Sequence, residues 1–334
     1  MKKMTAIILG AIASLTVAAP ALSGCGSDGL KFVLSEDGSH YTVSYSGFSS
    51  PSGECEIPAY YGDDNIPVTE IADEGFASTR YSKIKIPATI TEIGTAAFSF
   101  CYSLESVEFA DGIELDTLKQ GTFGKCSRLK EIKIPDSVTA IGALVFSGCT
   151  ELTNVTLGSV ESIGPRAFEE CTALEEITFP STLTSIGDFA FYFSGLKEIE
   201  IPGSITDKVT QDESGKDKTV YGLGTGAFYV CNALESVKIC EGVKTIPSGA
   251  FGYCTSLKEI HIPLSVEKIM GITYKDGALH AGHAFWGCTA LADIYYAGSE
   301  EQWRAINIDY NGTYEGGVEM NNDALKNAQR HYKK

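Results

Sequence analysis

The chain has 334 residues, 43% of them hydrophobic, with 26 basic against 43 acidic side chains and a net charge of −17 at pH 7. Such a charge repels phosphate backbones and anionic lipid, which argues against nucleic acid as a partner. Length alone suggests two domains, but an internal repeat overrides that expectation and makes one elongated unit.

At the N-terminus, Lys2 and Lys3 precede an apolar run from Ala6 to Ala19. The run is too short and wrongly flanked for a membrane span, and residues 1–24 read as a secretory signal peptide. The segment ends in Leu22-Ser23-Gly24-Cys25, which resembles a bacterial lipobox. That resemblance implies cleavage before Cys25 and a lipid on its thiol; soluble secretion after a small-residue cleavage site is the alternative. Residues 25–29 then form a short flexible tether. Loss of residues 1–24 leaves 24 basic and 43 acidic groups, a net charge of about −19. Contact with a membrane is expected only through the N-terminal lipid.

Residues 30–67 read as an N-terminal β cap. Phe32-Val-Leu34 and Tyr41-Thr-Val-Ser-Tyr45 flank Glu36-Asp-Gly38, the pattern of a hairpin. A cap is required because the open end of a stack of coils would expose its core.

From 68 to 296 one motif recurs about nine times. Its anchor is a phenylalanine, at Phe76, Phe98, Phe123, Phe146, Phe168, Phe191, Phe228, Phe251 and Phe285, with gaps of 22, 25, 23, 22, 23, 37, 23 and 34. Three residues after eight of them comes Cys101, Cys126, Cys149, Cys171, Ser194, Cys231, Cys254 or Cys288. One full unit runs from Val160 to Pro180. Leu174, Ile177 and Phe179 are spaced as in a strand with one apolar face, and Pro180 ends it. Gly164 marks a turn. Phe168, Cys171 and Leu174 step by three, which predicts one or two turns of α- or 3₁₀-helix.

The pattern I-G-x-x-A-F-x-x-C-x-x-L-x-x-I-x-I-P closely resembles the BspA-type leucine-rich repeat family of bacterial surface proteins, from about Leu30 to the C-terminus. Six anchors follow an alanine, as Ala167 precedes Phe168. The third unit departs by lacking Ile-Gly and the sixth by carrying Ser194. The resemblance implies an α/β, β-rich fold: a right-handed leucine-rich repeat solenoid of short parallel strands and short helical or 3₁₀ turns, capped at both ends. It also implies a place at the bacterial cell surface or envelope, and binding to protein or glycan on host or bacterial surfaces.

Ten cysteines in a secreted chain invite a disulfide framework. Here seven form a column of small apolar spacers, so free buried thiols are expected. Zinc spacing is absent, and no metal or cofactor is expected. Two insertions, over Asp207–Thr219 and about Met270–Ala281, read as exposed loops. They are either part of a binding face or loops without a role. Residues 297–334 read as a C-terminal cap, with Trp303 and Ile306 covering the last coil; sugar stacking by Trp303 is the other reading.

Between the inward strand residues lie two outward columns. One holds Ser106, Glu131, Asn154, Glu176, Glu198, Ser236, Glu259 and Asp293, and is mostly acidic. The other includes Lys133, Thr178, Glu200, His261 and Tyr295. These columns are the candidate binding face, set against the plainer reading of a solvated face that resists aggregation. Catalysis finds no support: the histidines are scattered, no serine sits in a nucleophile elbow, and the glycines at 222–226 align with the repeat turn. The expected role is adhesion or ligand capture, with a scaffold in a surface assembly as the alternative.

Overall fold

A computed structural model of the chain describes residues 29–47, 51–211, 217–271, 273–275, 278–310 and 321–333. The signal segment, Cys25 and most of the tether lie outside the described residues.

The repeat motif folds into coils that stack through two runs of parallel strands. The longer strands form the first run. Ser52–Glu56, Arg80–Ile86, Ser106–Phe109, Glu131–Lys133 and Asn154–Thr156 make one parallel sheet. Glu198–Ile201, Ser236–Ile239, Glu259–Ile262, Asp293–Tyr296 and Gln329–Tyr332 make another. Their inward residues are the apolar ones, such as Ile132, Val155, Ile199 and Ile260, as strand alternation requires. The second run consists of two-residue strands at the Ile of the Ile-Gly step, including Ala140–Ile141, Ser162–Ile163 and Ser185–Ile186. The fold is therefore a solenoid of short parallel strands.

The third side of each coil differs from the helical turn that the spacing predicts. It is a run of tight turns in which right- and left-handed residues alternate. Ala96 (φ 53°) and Phe100 (φ 59°) lie two residues either side of anchor Phe98. The N–H groups of Ala96, Phe98 and Phe100 donate to the carbonyls of Gln120, Thr122 and Gly124 in the next coil, at 2.8, 2.9 and 2.8 Å. The N–H groups of Ala97 and Ser99 turn back to Gly94 and Ala96 in the same coil. Alternation thus pairs every second donor with a neighbouring coil, where a one-turn helix would leave its terminal groups unpaired.

The anchors point inward. All nine phenylalanine side chains are fully buried, and successive rings lie 5.0–5.7 Å apart from Phe76 to Phe285. Each ring contributes roughly 1.5–3 kcal/mol by burial alone. Beside this column runs one of thiols. Cys101, Cys126, Cys149, Cys171, Cys231, Cys254 and Cys288 each donate S–H to the carbonyl of the anchor phenylalanine one coil earlier, at 2.9–3.3 Å. The nine described cysteines are all free, and burial pushes Cys149 and Cys288 up to about 12.

The unit chosen to illustrate the motif is the one that fails to form its strand. Residues 174–180 are not part of a ladder, and Ile177 and Phe179 are only half-buried. The following unit is one residue shorter than most, with Leu196 five positions after Phe191 where seven other units have a leucine at six. Gly195 is drawn onto the coil below, its N–H donating to the Cys171 carbonyl at 3.2 Å, and a side chain there would strike the Thr172 carbonyl. Phe179 instead packs its ring edge-on to Phe191 and Phe228, at 5.6 and 6.5 Å. The exposed sheet is split in two while the phenylalanine column runs on unbroken.

At the N-terminal end, Leu30–Leu34 and Tyr41–Tyr45 form the expected antiparallel hairpin. Tyr41–Tyr45 then pairs parallel to Ile66–Ile71, closing the first coil. Both insertions form antiparallel hairpins rather than plain loops: Lys208–Gln211 with Asp217–Val220, and Thr273–Lys275 with Ala278–Ala281. The side chains of Tyr274, Asp276 and His280 lie outside what the structure describes. At the C-terminal end, helix Glu300–Ala305 starts in a capping box made by Ser299 and Gln302. It buries Trp303 against Tyr296 at 5.3 Å, which removes Trp303 as a sugar platform. A second helix, Asp323–Asn327, leads into Gln329–Tyr332, which adds a further parallel strand to the sheet.

Candidate functional site on the strand face

The two outward columns exist where the ladders run. Register pairs Ser106 with Glu131 and Glu131 with Asn154. Beyond the break it pairs Glu198 with Ser236, Ser236 with Glu259, and Glu259 with Asp293. In the second column Lys133 lies beside Thr156, and Glu200, Lys238, His261 and Tyr295 follow one another. Glu176 and Thr178 fall in the gap between the two sheets. Both are exposed, but neither occupies a strand position, so each column is two shorter rows.

The face is less acidic than its sequence implies, because cations from neighbouring coils answer the carboxylates. Lys83 Nζ meets Glu108 Oε1 at 2.5 Å, and Lys238 Nζ meets Glu200 Oε1 at 3.0 Å. A hydrogen bond from Cys240 and then the one from Lys238 hold the Glu200 carboxyl below the usual range. At the row where each strand begins, Lys130, Lys197 and Lys258 meet Glu105, Glu175 and Glu235 at 2.6–2.7 Å. These pairs are exposed and each contributes little to stability. Their consequence is electrostatic: the free negative charge concentrates at the exposed residues Glu131, Glu176 and Glu198.

The C-terminal coils carry a feature the sequence showed only in part. His261, Tyr295 and His331 occupy equivalent positions on three adjacent strands. Their rings stack in series, with centroids 4.6 Å apart and planes within 13° and 15°. Strand spacing sets that distance. His331 Nε2 lies 2.7 Å from Asp293 Oδ1, and His261 Nε2 lies 3.6 Å from Glu259 Oε1. Glu259 also accepts from Ser236 Oγ at 3.2 Å. The rings border a shallow groove of about 450 Å³ that continues past Cys240 and Pro263 to Tyr332 and Lys333.

The sequence columns supplied His261 and Tyr295 but not His331. No anchor phenylalanine or Leu-x-x-Ile spacing precedes Gln329–Tyr332, so periodicity could not place it on the face. The alternation Ala328-Gln-Arg-His-Tyr332 was the available signal. Among the described residues, no group of three or more His, Cys, Asp or Glu side chains is arranged to hold a metal ion. Stacking covers both faces of Tyr295 and one face of each histidine, and all three rings stay part-exposed. Their ring N–H and O–H groups can offer hydrogen bonds.

Comparison with known proteins places the chain. A leucine-rich cell surface protein from Faecalibacterium prausnitzii A2-165 is 27% identical, with a TM-score of 0.47, covering 88% of this chain and 100% of its own. A leucine-rich repeat protein from Bacteroides ovatus ATCC 8483 is 24% identical, with a TM-score of 0.38, covering 92% of this chain and 99% of its own. No curated protein matches the chain. Six copies of the BspA type leucine rich repeat region match over residues 69–159, 112–211 and 216–280, and the chain belongs to that family.

Proposed function

We propose that this protein is a lipid-anchored surface protein of a bacterial envelope that captures a protein partner on its strand face, without catalysis. The Leu22-Ser-Gly-Cys25 motif supports the anchor. Membership of a repeat family supports a role in interaction. The observation that carries the reading is the in-register display of His261, Tyr295 and His331 beside a groove, next to rows of paired charges. Stacked ring edges with flanking carboxylates and lysines suit the mixed polar groups of a polypeptide. The exposed carboxylates Glu131, Glu176 and Glu198 favour a basic region on it. The mechanism is geometric: a rigid sheet adds many weak contacts over a large area.

The test is retention of surface proteins from host cells or neighbouring bacteria on immobilised protein. A variant carrying Glu131→Lys, Glu176→Lys, Glu198→Lys and Tyr295→Ala is expected to lose the retained partner. Its fold should be retained, since the three glutamates are exposed and Tyr295, half-buried between two rings, lies on the outer strand face; an unchanged circular dichroism spectrum checks this. Undiminished retention by that variant sinks the strand-face assignment.

A further inference from the structure

The turn side of the last four repeats carries a surface that the strand-face reading does not use. Phe189, Tyr192, Phe193, Tyr229, Tyr253 and Trp286 form a continuous row across these coils. Tyr192 and Tyr229 are 6.1 Å apart and near parallel, while Phe189 meets both edge-on at 6.3 and 6.1 Å. Tyr229 and Tyr253 follow at 5.9 Å, and Tyr253 and Trp286 at 4.5 Å, again edge-on. Phe193 is 44% exposed and Tyr253 39%. The herringbone leaves these rings partly open to solvent.

Three features describe the row. The first, shared with the other turns of the solenoid, is backbone strain. Phe193 (φ 54°), Val230 (φ 60°) and Tyr253 (φ 57°) occupy the left-handed position two residues after the anchor. Glycine fills the same position at Gly148 and Gly287 without penalty. Ser78, Phe100, Lys125 and Glu170 adopt the same conformation in the other units, so the strain belongs to the repeat turn, and only the run of aromatic rings is particular to this row. The second is charge. The two positions after the anchor hold Tyr192, Phe193, Tyr229, Val230, Gly252, Tyr253, Trp286 and Gly287 in these four units, none of them ionised. The fifth unit has Glu169 and Glu170 there. Burial pushes the Tyr229 hydroxyl up to about 12, so it stays neutral. The third is the border. Two residues further on stand Asn232, Thr255 and Thr289, with Thr255 Oγ1 donating to Asn232 Oδ1 at 3.2 Å.

We infer that this ridge is a second binding site, for a linear, uncharged polysaccharide. Aromatic rings with polar handles pack against the C–H faces of sugar rings. The hydroxyl and amide border answers sugar hydroxyls. Arg166 lies over the Phe189 ring at the edge of the row, 5.2 Å from its centroid, but none of the eight turn positions is ionised, and a chain of net −17 disfavours an anionic ligand. A row that repeats from coil to coil matches a polymer that repeats from unit to unit. The site goes beyond the strand-face reading and stands on a different side of the coil.

Trp286 reports on it directly, because the only other tryptophan, Trp303, is buried in the C-terminal cap. Titration of the purified protein with soluble neutral mannan, xylan and mixed-linkage glucan is expected to give a saturable fluorescence change with at least one of them, and none with polygalacturonate. The double variant Phe193→Gly and Tyr253→Gly removes two rings and relieves strain, so it folds. It should bind that polymer roughly tenfold or more weakly and still retain the strand-face partner. The charge-reversed strand-face variant should bind the polysaccharide as the parent does. Three results would overturn the inference: no saturable change with any neutral polymer, equal binding by the double variant, or a ridge occluded by self-association that the double variant abolishes.

Discussion

A thiol and a benzyl ring recur together because each solves a different problem at the same height in the coil. The ring fills the centre and touches the rings above and below. The thiol fits beside it and supplies a donor for the carbonyl of the anchor below, as Cys171 does for Phe146 at 3.2 Å. Ser194 keeps a small donor in the column and lies 3.3 Å from Cys231 Sγ, which is why the substitution is tolerated. The glycine of the Ile-Gly step has a reason that sequence did not reveal. A Cβ on Gly164 would lie 2.6 Å from the carbonyl carbon of Gly142 in the preceding coil, so close approach of backbones excludes any side chain. The turn reading gave the right residue for the wrong cause. Phe168 has ring neighbours at 5.1 and 5.0 Å on its two sides. Phe168→Ala is expected to lower stability by about 3–5 kcal/mol in denaturant unfolding, since adjacent coils cannot collapse into the cavity without breaking their ladders.

The elements at the two ends show how a solenoid is closed. At the C-terminal end Asn322 is fully buried and acts as a latch. Its Oδ1 accepts the Phe285 N–H at 3.0 Å and its Nδ2 donates to the Asp309 carbonyl at 2.6 Å. Asn322→Ala leaves both backbone groups without that partner and should cost about 1–3 kcal/mol. Faster hydrogen exchange at the Phe285 amide would report it. At the N-terminal end, hydrogen bonds from Ser35 and Ser39 lower the Asp37 carboxyl from 3.8 to about 2. A carboxylate depressed in the folded state stabilises the turn above pH 3.8, and that contribution is lost as pH falls through about 2. Chemical shifts of the Ser39 amide are therefore expected to move as pH falls through that window. Asp37→Asn should remove the transition.

Across the whole molecule, stability is a sum over neighbouring coils, and the weakest junction is visible. The phenylalanine column crosses from Phe168 to Phe191 at 5.0 Å, but the strand ladder does not cross with it. On the strand face the two halves are joined by side-chain packing and by isolated contacts, the Lys197 N–H to the Glu175 carbonyl at 3.0 Å and the Gly195 N–H to the Cys171 carbonyl at 3.2 Å, rather than by a ladder. Amides of Glu176, Ile177 and Thr178 are therefore expected to exchange with solvent faster than those at the equivalent positions 131–133 and 259–261. Equal protection would mean that the ladder forms in solution after all. The break also divides the candidate face into two segments, with Glu131 on the first sheet, Glu176 in the gap, and Glu198 together with the His–Tyr–His stack on the second.

The sequence by itself determined the period, the inward set of Phe, Cys, Leu and Ile, the capping hairpin and the cap tryptophan. All of these follow from local spacing and from the need of each coil to bury an apolar side. It also nominated the outward columns, because alternation in a strand is a property of the chain alone. Only the tertiary structure decided which units share a ladder, since pairing depends on where the neighbouring coil places its strand and not on the unit's own spacing. Only the structure brought His331 beside Tyr295, and Trp286 beside Tyr253. Contacts between coils depend on how each returns to its starting point, which the sequence of a single coil does not contain.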